Sequence, residues 1–137
     1  EAPAELAERQ AAAWDPLLDW ARTRHGLSFV LAGGIMPVDQ SSAMLERLRT
    51  LVAGLDIWLL AGAATLTQIG GSVIGTLAHL DGAIDASALF DVTSLDERWQ
   101  AERWGADAEA EARLDERRAH FLAAAQYCAL VAASWAR

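Results

Sequence analysis

Apolar residues recur along this chain at the three- and four-residue steps of α-helices, and polar punctuation separates the runs. Residues 4–13 carry strong helix formers but little apolar bulk beyond Leu6, which predicts a leading helix. Asp15 before Pro16 reads as the N-cap of a second helix, with Leu17, Leu18, Trp20 and Ala21 on its buried side and Gly26 at its end. Ser28 to Val38 holds Phe29-Val30-Leu31, Gly33-Gly34 and Pro37, so it reads as extended or looped, with room for a short strand. Asp39, Ser41 or Ser42 starts the next helix, in which Met44 or Leu45, Leu48, Val52 and Leu55 face inward.

Ile57 to Ala78 contains no formal charge, and Asp81-Gly82 closes it. Its length suffices to cross a bilayer, which needs roughly 20 apolar residues. Thr65, Thr67, Gln68, Ser72 and Thr76 dilute the run, and acids rather than a basic cluster flank it, so a buried central helix is the better reading. Gly70-Gly71 is a place for that helix to kink. Asp85 caps a short helix through about Val92. The final helix runs from Asp107 to about Trp135, with Leu114, Phe121, Ala125, Cys128, Ala132 and Trp135 along one stripe. The fold class is therefore all-α: a single-domain helical bundle of about five to seven helices around a buried apolar central helix.

Between these lies a short helix with legible ends. Ser94 and Glu97 are spaced as a capping box, which starts the helix at Leu95. Gly105 can take the left-handed conformation that stops it, and Asp107 is placed to cap the next helix. Leu95 and Trp99 share one side, and Glu97, Gln100 and Trp104 a neighbouring stripe.

Composition narrows the chemistry. A formal charge of −8 over 137 residues argues against binding a phosphate backbone, so nucleic acid is not an expected partner. Cys128 is the single cysteine and lies on an inward stripe, as a small core residue does. His25, His79 and His120 lack a second ligand at metal spacing, and no glycine loop has a phosphate-binding context, so neither metal nor cofactor is expected. Asp96 and Glu97 are adjacent carboxylates, but neighbouring helical positions diverge, so they form no acid–base dyad by spacing. Their N-terminal position complements the helix dipole instead.

The run Ser94-Leu-Asp-Glu-Arg-Trp-Gln100, followed by Glu102-Arg-Trp104-Gly105-Ala-Asp107, resembles the C-terminal helical region of the Atp-twelve family. These are assembly chaperones that hold the alpha subunit of F-type ATP synthase before it joins beta. The resemblance extends through Trp14-Asp-Pro-Leu-Leu-Asp-Trp20, Met36-Pro37 and the apolar stretch around Gly71-Ser72. Many relatives carry a lysine near the position of Gly70, and this chain has no lysine. Relatives also have a β-rich N-terminal domain, so residues 1–137, which begin at Glu1, are expected to be the helical domain of a longer protein.

The resemblance implies a non-enzymatic monomer that binds unassembled alpha subunit and inserts into no membrane. It would act in the bacterial cytoplasm, or in the mitochondrial matrix of a eukaryote. Asp96, Glu97 and Gln100 are its expected client contacts, with Trp104 as anchor and Asp107 and Glu109 as further acidic contacts. Trp99 remains a core residue, and Trp104 either locks the two helices at the corner or joins the client-binding rim. The alternatives are a small acid–base enzyme using the Asp96/Glu97 region and an integral membrane helical protein.

Overall fold

A computed structural model of the chain describes residues 3–32 and 36–135, among which there are seven α-helices and no strand. The helices fall into two compact units, 1–55 and 56–137. The Gly33-Gly34 pair lies outside the described residues.

In the first unit, α1 (Ala4–His25) is one continuous helix, where two were expected. Pro16 sits inside it, and Asp15 is therefore no N-cap. A proline in a helix interior forfeits a backbone hydrogen bond and crowds the preceding turn, at a cost of about 3 kcal/mol. The inward stripe explains why the helix continues: Leu6, Leu17 and Ala21 are buried on both sides of Pro16, and a break would turn part of that stripe to water. Gly26 ends α1 at φ 65°, and its N–H donates to Arg22 O at 2.9 Å.

Ser41 caps α2 (Ser42–Ala53), its Oγ accepting from Met44 N at 3.2 Å, and Met44 is buried. Arg47 of α2 donates to Gly26 O at 2.9 Å, where a β-carbon on Gly26 would lie 2.8 Å from the guanidinium. The short strand allowed for between Ser28 and Val38 does not form among the described residues. Instead the Gln40 side-chain amide accepts from Val30 N and donates to Val30 O, both at 2.9 Å. One amide satisfies the backbone groups that a paired strand would otherwise satisfy.

In the second unit, the uncharged run is two helices, α3 (Ile57–Gly70) and α4 (Val73–Leu80), rather than one central helix. Gly71 closes α3 at φ 76°, and Ser72 opens α4 by accepting from Gly75 N at 2.9 Å. Three of the hydroxyls that diluted the run have partners at this corner: Ser72 as the cap, Thr67 Oγ1 donating to Thr76 Oγ1 at 3.1 Å, and Thr76 Oγ1 donating to Ser72 O at 2.8 Å. Burial is also uneven. Gly75, Thr76, Leu77 and Ala78 of α4 are buried, whereas α3 buries Gly62, Ala63 and Leu66 and leaves Ile57 and Trp58 well exposed. No described helix is long and apolar enough to cross a membrane.

Asp85 caps α5 (Ala86–Thr93) through Ala88 N at 2.7 Å; α6 (Leu95–Trp104) and α7 (Ala108–Trp135) follow. The pairing of α3 with α7 is the most extensive in the unit. Phe121, Ala125 and Cys128 of α7 are buried, and Phe90 of α5 meets Phe121 with ring centroids 5.5 Å apart. The expected stripe thus holds in its middle, while Ala132 and Trp135 at the far end are exposed.

Close approach is possible because Gly62 presents no side chain. A β-carbon there would sit 2.4 Å from Cys128 Sγ and 2.8 Å from Tyr127 Cδ1. Tyr127 turns its hydroxyl to donate to Trp58 O at 2.8 Å. Gly62→Ala should therefore destabilise the protein by about 1–3 kcal/mol through overpacking, although the same change in an open helix would gain about 1 kcal/mol of propensity. Urea unfolding checks this: the midpoint should fall, and adding Cys128→Ala should recover part of the loss. An unchanged or raised midpoint would remove the steric account.

Candidate functional site

The site is the corner at which α5, α6 and α7 meet. Ser94 belongs to two helices at once, closing α5 and opening α6 with no linker between them. It is fully buried, its Oγ donates back to Phe90 O at 2.7 Å, and it makes no capping bond to α6. The expected capping box is absent. Its physical reason is the junction itself: a capping serine takes extended backbone, whereas Ser94 lies at φ −100°, ψ 11° with its hydroxyl committed to the helix behind it.

Glu97, released from that role, turns to α7. Both its carboxylate oxygens accept from Arg117 Nη1, at 2.8 and 3.0 Å. The adjacent Arg118 does the same for α5, donating to Asp91 Oδ1 at 2.8 Å and to Ser87 Oγ, with its guanidinium 5.4 Å from the Phe90 ring centroid. Two consecutive arginines thereby fasten two successive helices to α7. Arg98 adds a link between α6 and α5 by donating to Asp91 O at 2.5 Å. Sequence reading missed this clasp, though a signal was present. Arg117 has Arg113, Leu114, His120 and Phe121 at its three- and four-residue neighbours, so no carboxylate of its own helix can pair with it.

Trp99 is buried, as expected, with the Arg103 guanidinium 5.3 Å from its ring centroid. Trp104 is 77% exposed and so does not lock the corner. Gly105 stops α6 at φ 84°, ψ 149°, so the backbone there is extended at positive φ and not in the left-handed helical conformation expected. Asp107 caps α7 by accepting from Ala110 N at 2.7 Å.

Of the six expected contact residues, all are exposed and three share a stripe: Asp96, Gln100 and Trp104 lie at successive four-residue steps of α6. Glu97 holds Arg117, Asp107 caps α7, and Glu109 pairs with Arg113 along α7 at 2.9 Å. Elsewhere in this unit, burial pushes the Cys128 thiol up, partly offset by a backbone hydrogen bond. Among the described residues no group of three or more histidine, cysteine or acidic side chains could hold a metal ion. An open hollow of about 280 Å³ lies in the first unit, lined by residues including Asp15, Asp19, Leu27 and Phe29, and contains none of the six.

These features define a helical module whose distinctive surface is an aromatic and polar stripe on a short, clasped helix. The same fold occurs in the Atu1473 protein of Agrobacterium tumefaciens, a candidate chaperone, at a TM-score of 0.81 and 33% identity over 93% of this chain and 47% of that one. Atp12 from Paracoccus denitrificans matches at a TM-score of 0.90 and 40% identity, over 94% of this chain and 55% of that one. A variant of the Paracoccus protein with one aspartate replaced by lysine matches at 0.91 and 38%, over 95% of this chain and 56% of that one. The chain belongs to the Atp12 family. It spans about half the length of these solved relatives. No family model matches it.

Because burial favours the neutral thiol, Cys128 should react only slowly with a thiol reagent at neutral pH in the folded protein and at the rate of an ordinary cysteine in denaturant. Rapid modification under native conditions, followed by absorbance, would show that the α3–α7 contact opens readily.

Proposed function

We propose that this chain acts as an assembly chaperone of the F-type ATP synthase, binding the unassembled alpha subunit until beta takes its place, and that it catalyses no reaction. Membership of the Atp12 family and similarity to a candidate chaperone support the general role. The observation that carries the reading at the level of residues is the exposure of Trp104 on the same stripe as Asp96 and Gln100. Tryptophan is among the side chains most enriched at the residues that dominate protein interfaces.

The stripe is suited to a mixed surface. Trp104 supplies apolar area, Gln100 a side chain that both donates and accepts, and Asp96 a charge that selects basic groups on the client. Asp107 and Glu109 extend the acidic rim beyond the corner, where they act through long-range attraction and steer encounter more than they add affinity. Unassembled alpha subunit, with its assembly surface uncovered, is the kind of client that aggregates when left alone. The site of action is the compartment in which that subunit folds, which for a bacterium is the cytoplasm.

The test is capture on the immobilised protein of isolated alpha subunit, and in parallel of beta, at low and moderate salt. Alpha should be retained selectively, more strongly at low salt. Trp104→Ala should weaken retention roughly thirtyfold, the loss of about 2 kcal/mol at an aromatic anchor, and Asp96→Lys should weaken it with little change in melting. Equal retention of both subunits, or of neither when the protein is folded and alpha soluble, would sink the proposal.

A further inference from the structure

Arg117 of α7 reaches this corner through Glu97, the residue that follows Asp96 on α6. Helix α6 has only 10 residues, fewer than the roughly 12–15 at which an isolated helix becomes even marginal in water. It has no side-chain cap at Ser94, and it ends at Gly105. Its order therefore comes from packing and from ties to its neighbours. The burial of Trp99 decides which face turns inward. Arg98 fastens the helix to α5, and the Glu97–Arg117 pair fastens its first turn to α7.

Glu97 follows Asp96 directly, and one residue rotates a helix by about 100°. A carboxylate drawn to α7 at position 97 thus holds positions 96, 100 and 104 in a fixed direction. No acidic residue lies three or four positions from Arg117 on its own helix, where it could compete for it.

We infer that Arg117 is a positioning residue for the client-binding face: it orders α6 through Glu97, and Asp96, Gln100 and Trp104 meet the client while Glu97 does not. This rests on the reading of α6 as a client-binding face. A single nitrogen makes both contacts to Glu97, so a lysine ammonium can replace it, which would not hold for a pair that needed the full guanidinium fork.

The experiment joins capture of alpha subunit with hydrogen exchange of the free protein. In Arg117→Ala, amides of α6 should exchange roughly two- to fivefold faster, as expected for loss of one partly exposed ion pair, and alpha capture should weaken. Arg117→Lys should restore both. The charge-swapped protein Glu97→Arg with Arg117→Glu should do so too, because only the pairing matters. Unchanged α6 exchange in Arg117→Ala overturns the positioning role. Restored exchange without restored capture in the swapped protein would show that Glu97 itself touches the client, and overturns the division of roles. If the unaltered protein captures no alpha, the proposed function fails, and the exchange arm still decides whether Arg117 orders α6.

Discussion

The contact between α3 and α7 is the constraint on which the larger unit depends. Gly62 brings the α3 backbone against Cys128 and Tyr127, and this proximity lets Tyr127 reach the Trp58 carbonyl. Further along the same pair, Gly70 faces Phe121, where an added β-carbon would come within 3.3 Å of the ring. Two glycines eight positions apart keep the helices close over more than two turns, and dispersion between well-packed atoms falls steeply with any gap. Phe121 then becomes a platform for Phe90, which places α5.

From that platform outward, order passes from apolar packing to charge. Arg117 and Arg118 leave α7 at consecutive positions and reach different helices. Arg118 combines an ion pair, a hydroxyl and an aromatic face, and is the more buried of the two. Arg117 makes a simpler and more exposed contact. The outermost helix is thus held by the weakest links, a common arrangement for elements that must adapt to a partner.

Much of this was legible from the residues alone. Ser41, Asp85 and Asp107 all sit at helix starts because a short polar side chain bonds a nearby N–H, a local interaction that local sequence encodes. The buried middle of α7 follows from periodicity, and the burial of Trp99 from its place beside Leu95. Two of the failures share a cause: tertiary context overrode a local signal. Pro16 lies within α1 because the stripe on both sides of it is buried, and Ser94 turns backward because α5 ends where α6 begins. The acidic surface was visible as composition, but the pairing of Glu97 and Asp91 was not, since that depends on where Arg117 and Arg118 arrive from 20 or more positions away.

Ser94 also bears on how such a sequence can evolve. With one residue serving as the end of α5 and the beginning of α6, no slack exists to absorb a change in length. Substitutions on the outer face of α6 alter what is displayed, one side chain at a time. A single inserted residue at the junction would instead swing the whole face by about 100° and carry Trp104 away from its direction. Lineages diverging from a common ancestor are therefore free to rewrite the letters of this corner, while its spacing is held by geometry.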